Sequence, residues 1–203
     1  MTYIWYEVFP VTLVDRHPTL LQDAAHPICS PWMLPHQPNV HPNAVVIAYL
    51  NTILSQSICS EKTIVHSTSW RYDATHDWML LTYLAVLPQT HWQAQLQSTN
   101  HISLTPIGEI TAQYGDQLFP PEQIERQHVL AHALDHLASL NTYDASIQSA
   151  LETEWQAILR PRQPRPAGCL QRSPVFASPP ALHPCEAALH SGLVQPPVLA
   201  AST

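Results

Sequence analysis

The segment HVLAHALDHLAS places His128, His132 and His136 four residues apart, with Asp135 beside the last of them. Imidazole nitrogens and a carboxylate are donors that zinc, iron and manganese accept. On a helix, a spacing of four puts two imidazoles one turn apart, close enough to hold one ion. A third does not fit. At a rise of ~1.5 Å per residue, His128 and His136 are about 12 Å apart along the axis. A single ion would therefore take His132 with His136, or His132 with His128, and draw its other ligands from elsewhere. Asp135, Glu125, His66 and His76 are the candidates. The cofactor this pattern points to is a divalent metal: zinc, iron or manganese. The alternative is structural. On a helical wheel Asp135, His128, Ser139, His132, Glu125 and His136 fill a sector of ~100° and the rest is mostly apolar. That predicts the solvent-facing stripe of an otherwise buried helix. His66 lies between Ile64 and Thr68 on a strand face that also carries Trp70. It is expected to be hydrogen-bonded in the interior, the other reading being that it lines a cleft.

No other constellation stands beside this one. The chain has four glycines and no GxGxxG, GxxxxGK[ST], GxSxG or HExxH, so phosphate loops, a nucleophile elbow and a zincin helix are excluded. No catalytic residue can be named and no organic cofactor site is expected. The cysteines, at 29, 59, 169 and 185, form no CxxC pair. Free thiols fit a reducing compartment, and the start MTYIWYEVFP has neither the basic nor the long apolar part of a secretory signal. The expectation is a cytoplasmic protein. No apolar run reaches the ~18 residues of a membrane helix, so no membrane association is expected. Lysine and arginine total 8 against 15 aspartates and glutamates, a net charge of −7 with neutral histidine. Only Arg160, Arg162, Arg165 and Arg172, near the C-terminus, give a segment of positive balance. An acidic body repels phosphate backbones, so no nucleic acid is expected, and the partner is a protein or a small molecule. Thirteen histidines make the charge sensitive to pH near ~6.5.

The elements that would position these residues follow from periodicity. Residues 3–9, YIWYEVF, predict a strand ending at Pro10, with 11–14 as a continuation. Residues 17–42 hold six prolines and predict a long irregular segment. Residues 44–57, AVVIAYLNTILSQS, put Val46, Ile47, Tyr49, Leu50, Ile53 and Leu54 on one side and predict a helix capped by Asn43. Residues 62–72 alternate, and 78–87, WMLLTYLAVL, are apolar on both faces. Together they predict a β-hairpin (62–87) whose second strand is covered on both sides. A short strand at 101–104 and a short helix at 106–114 follow. A long helix from Pro120-Pro121 to about Leu140 and a second over 144–159 predict a C-terminal αα-hairpin (121–159), with Ile147, Leu151, Trp155 and Ile158 buried. From residue 160, nine prolines in 44 residues predict a disordered tail (160–203).

The hairpin sequence SWRYDATHDWMLLTYLAVLP, residues 69–88, resembles strands of Nudix-type domains. The glutamate-rich, glycine-anchored helix that defines Nudix hydrolases has no counterpart, so no catalytic residue is carried over. The fold class expected is α+β: a small, mainly antiparallel sheet with hairpin 62–87 at its centre, covered by helix 44–57 and the αα-hairpin 121–159. Residues 1–159 form one domain in this reading. The function expected is a non-catalytic binding, assembly or regulatory factor. The alternative is a metal-dependent, hydrolase-like enzyme using the histidine helix.

Overall fold

A run of residues buried on both faces, within 3–14, builds the spine of a six-stranded sheet in the computed structural model, which describes residues 2–26, 30–54, 62–89, 101–107 and 124–162. The strands are β1 (Tyr3–Val14), β2 (His17–Asp23), β3 (Trp32–Pro35), β4 (Ile64–Asp73), β5 (Trp78–Val86) and β6 (Ile102–Pro106). The helices are α1 (Pro42–Ile53), α2 (Arg126–Tyr143), α3 (Ala145–Ala150) and α4 (Thr153–Leu159). The order across the sheet is β4-β5-β1-β2-β6, with β3 also pairing β1. The fold is mixed α+β and its sheet mostly antiparallel; the exception is the parallel pair of β1 and β5, from Tyr3↔Trp78 to Val11↔Val86.

Pro10 does not end β1. On its non-β5 side the strand pairs β3 through Trp5–Val8 and β2 through Val11–Val14. Pro10 falls at the seam between the two, where a missing N–H removes no ladder bond with either. A two-residue turn at Asp15 and Arg16, both at positive φ, then returns the chain as β2. This is the mirror-image turn that matches strand twist.

The expected irregular segment 17–42 thus contains two strands, β2 and β3. Pro18 sits in β2 opposite Leu13, a place where proline's fixed φ is compatible with extended chain. The hairpin 62–87 forms, with a bulge between Ser67 and Ser69. It does not sit at the centre: β4 is an edge strand and β1 holds the middle.

Two apolar cores lie on opposite faces. Tyr6, Val8, Tyr83, Ala85 and Leu87 pack with Val45, Val46 and Leu50 of α1. Phe9, Val11, Leu13, Leu84 and Val86 pack with Val129, Leu130, Leu134 and Leu137 of α2 and with Leu151, Trp155 and Leu159. Helix α1 starts earlier than expected because His41, not Asn43, is its cap: the His41 Nδ1 accepts from the Asn43 N–H at 3.2 Å, and Pro42 opens the first turn. Residues 55–57 of that expected helix lie outside the described residues.

The C-terminal part also departs from expectation. Thr105 and Pro106 belong to β6 rather than opening a helix, and residues 108–114 lie outside the described residues. Helix α2 begins at Arg126, and 121–123 are likewise outside. The single helix expected over 144–159 is two, because Leu151 turns extended (φ −73°, ψ 131°) between α3 and α4. Asp144 starts α3 by accepting from the Ser146 and Ile147 N–H groups. Most of the tail lies outside the described residues.

Candidate functional site

Helix α2 lies across β4 and β5 with its apolar stripe on the sheet, and this turns its histidines toward β4. The stripe expected in solvent is covered: His128 and Asp135 are 8% and 3% exposed. The cover comes from β4 on one side and from Arg162, just beyond α4, on the other. Arg162 Nη1 donates to Asp135 Oδ1 in a short ion pair.

His128 forms the first turn of α2. Its Nδ1 accepts from the Glu125 N–H at 3.2 Å, and the Glu125 side chain caps the helix in return. Asp135 and Glu125 are thereby engaged in holding helix ends and the C-terminal segment. His76 sits in the β4–β5 turn, bonded to Asp73 at 2.8 Å and stacked on Trp78 at 4.6 Å between ring centroids.

Of the candidates elsewhere in the chain, β4 delivers His66 to the pair on α2. The His66 and His136 rings are 5.3 Å apart between centroids, and those of His132 and His136 are 6.5 Å apart. His66 donates from Nδ1 to the Ser67 carbonyl at 2.7 Å when that nitrogen bears the proton. His132 bonds the Thr68 backbone. The β-bulge between Ser67 and Ser69 falls beside these two residues. His132 Nδ1 and His136 Nε2 are buried with no hydrogen-bond partner.

Burial pushes the His132 imidazole below its ordinary range, while the Thr68 bond and the Asp135 carboxylate work the other way. Burial, then the neighbouring His66 and His132, push His136 down. His128 is lowered by burial against the pull of Glu125. All three favour the neutral imidazole, whose free nitrogen is a lone-pair donor. As placed, no group of three histidine, cysteine, aspartate or glutamate side chains among the described residues stands at metal-holding geometry.

On the same sheet face lies a buried charge that sequence reasoning passed over. Arg71 on β4 makes a two-pronged ion pair with Glu7 on β1, and Thr82 Oγ1 donates to Glu7 Oε2 at 3.1 Å. Glu7 is 3% exposed in its side chain and Arg71 22%. The signal was available: Glu7 is the one charge inside the apolar strand YIWYEVF, and a charge there needs a partner. Beyond this pair, Trp5 and Trp78 meet at 4.9 Å.

No protein-family model and no curated protein matches the chain. Its fold, however, is similar to solved structures. NrtR of Shewanella oneidensis in complex with a 27-mer DNA superposes with a TM-score of 0.55 at 12% identity, over 79% of this chain and 77% of that one. NrtR alone gives 0.54 at 12%, over 80% and 79%. The Nudix domain of the same NrtR, complexed with ADP-ribose, gives 0.34 at 15%, over 53% and 74%. Two expectations are corrected here. Acidic balance is no ground for excluding nucleic acid, since a protein of this fold was crystallised with DNA. The expected non-catalytic binding, assembly or regulatory factor is the second, and the likeness to NrtR does not bear it out. No helix among the described residues is long and apolar enough to cross a membrane.

Proposed function

We propose that the chain is a nucleic-acid-binding regulator on a Nudix-type fold, with residues 1–159 as its domain, 160–203 as its tail, and the cytoplasm as its place. The likeness to DNA-bound NrtR over most of both chains carries this reading. Composition supports it against a Nudix hydrolase: α1, PNAVVIAYLNTI, has no carboxylate with which to hold the metal of diphosphate hydrolysis. Arg160, Arg165 and Arg172 supply the phosphate contacts.

The test is fluorescence anisotropy of the full chain with a 27-base-pair duplex at 50 and 200 mM salt. About three phosphate contacts give a log K against log salt slope near −2.7. Truncation after Arg162 should reduce that slope by about two. Absence of binding at 50 mM salt overturns the reading. A Nudix-type hydrolase is the second reading, favoured by the histidines that β4 and α2 bring together. Phosphate-ester or diphosphate cleavage by a preparation that binds no DNA would put it first.

A further inference from the structure

We propose that His66, His132 and His136 form an acid-sensitive latch between the edge strand β4 and α2, whose protonation frees the bulged middle of β4 from the helix. The latch owes nothing to the nucleic-acid reading and is tested without nucleic acid, so either can fail alone.

The latch joins two elements that are each held in place by other contacts. Val129, Leu130, Leu134 and Leu137 carry α2 onto the sheet. The ladder with β5 and the Glu7–Arg71 pair hold β4 at the sheet's edge. Past Ile64, which joins the α2 core, β4 meets the helix through His66, 5.3 Å from His136 between ring centroids, and through the Thr68 backbone, which His132 bonds. His132 and His136 themselves stand 6.5 Å apart. The bulge between Ser67 and Ser69 falls in the same stretch. A bulge leaves the ladder locally disrupted, so this is where β4 can part from its neighbours without the sheet coming apart.

Protonation turns these contacts from neutral to repulsive. His132 Nδ1 and His136 Nε2 are buried without a partner. A neutral ring leaves such a nitrogen as a bare lone pair. A charged ring makes it a cationic donor with no acceptor, which costs far more in a dry setting. Two charged rings one turn apart on α2 also repel each other. Burial, joined at His136 by its two neighbouring imidazoles, already holds both groups below the ordinary histidine range. The closed seam therefore has its full stability above ~6.5 and loses it as the pH falls through the folded-state values.

The charged groups around the rings do not cancel this. Asp135 favours the charged form of His132, but burial outweighs it, and its carboxylate is paired with the Arg162 cation. His128 and Glu125 hold the first turn of α2. Asp144, which feels His66, caps α3 through the Ser146 and Ile147 N–H groups. Glu152, ahead of α4, accepts from the Gln89 N–H. On the sheet, Arg71 and Glu7 neutralise one another, and Asp73 is bonded to His76. Water is what relieves the protonated rings, and reaching it requires the seam to open.

Amide hydrogen exchange of the tag-free full chain at pH 7 and 5.5, corrected for the intrinsic pH dependence of exchange, reads the opening directly. An imidazole that stays neutral while the seam is shut and titrates near ~6.5 once it opens multiplies the opening equilibrium by about eight over that interval. Peptides covering 64–73 should lose about eightfold or more in protection, while those covering 3–13 and 42–53 should change less than about twofold. His132→Gln and His136→Gln should each reduce the loss at least about threefold, since each removes one of the titrating rings. Should either fail to fold by near-ultraviolet circular dichroism, His66→Gln on the half-buried edge strand removes the ring that faces His136 and should reduce the loss as well. Equal loss in all the peptides, no loss at pH 5.5, or a loss unchanged in the folded variants overturns the proposal.

Discussion

On the α1 face, the polar groups that the core encloses are paired: the Tyr6 hydroxyl with His36 Nδ1 at 2.6 Å, Trp32 Nε1 with the Leu21 carbonyl at 3.0 Å, and Thr12 Oγ1 with the Leu87 carbonyl at 3.0 Å. On the α2 face the apolar packing is as complete, yet the helices there hold buried atoms without partners: His132 Nδ1, Asp135 Oδ2, His136 Nε2, Asn141 Oδ1 and Trp155 Nε1. The ion pairs of Glu7 with Arg71 and of Asp135 with Arg162 lie on that side as well. Both faces remove apolar area from water, so apolar burial does not distinguish them. Among the described residues, the α2 face is the one that retains charge and lone pairs in a dry setting, where they cost stability unless they bind something. The α1 face has its enclosed polar groups paired; the α2 face holds the buried ion pairs and the unpartnered atoms.

The sharpest way to break this contrast is to strand a charge. Arg71→Met leaves Glu7 buried and unpaired, and should cost about 3–5 kcal/mol, read as a lowered urea midpoint. Replacing both, as Glu7→Leu with Arg71→Met, should recover most of the loss. On the other face Tyr6→Phe gives up one hydrogen bond and should cost about 1 kcal/mol. Equal costs for Arg71→Met and Tyr6→Phe would erase the distinction between the faces.

A smaller effect separates two truncations. Ending the chain after Arg162 keeps the partner of Asp135 and should change stability by about 0.5 kcal/mol or less. Ending it after Leu159 removes that partner and should cost about 3 kcal/mol. If both truncations behave alike, Arg162 does not hold the α2 face closed.

The smallest effect is a pH dependence confined to one face. His128, His132 and His136 have folded-state pKa values below the unfolded value of ~6.5. The unfolded chain then binds more protons in the window below ~6.5. The stability these groups contribute is whole above ~6.5 and is lost as the pH falls through their folded values. The thermal midpoint should drop by roughly 5 °C between pH 7 and 5.5. Imidazole proton resonances of the three should titrate at lower pH than a histidine in an unfolded peptide, near ~6.5. Coincident titration would mean that the stripe is open to water.

The parts of this architecture that were legible in sequence are those whose pattern is local. The alternation in 62–72 and the doubly apolar run at 78–87 specify β4 and β5 because side-chain period follows from the strand itself. The strand β2 was not legible, since His17-Pro18 reads as a break unless one knows that β1 is there to pair with it. For the same reason Pro10 read as an end. The histidines of α2 were legible as candidates, but not their surroundings. A wheel shows which residues share a face; it does not show that β4 and Arg162 will cover it. His66 could be placed on a strand face, but its arrival 5.3 Å from His136 is a tertiary fact. The Glu7–Arg71 pair joins residues 64 apart, which local periodicity does not reach.

The parallel pairing of β1 with β5 imposes an order of events during synthesis. Tyr3 cannot meet Trp78 until 75 further residues have been made. At ~5–20 residues per second that is a delay of about 4–15 s on the ribosome. The antiparallel partners β2 and β3, complete by Pro35, can zip onto β1 long before. For that interval one edge of β1 stands open, with Tyr6, Val8, Phe9 and Val11 on an uncovered ribbon. Such an edge is the template for pairing with a second nascent chain. Slow translation through residues 36–77 therefore carries an aggregation risk that no equilibrium measurement on the finished protein would register.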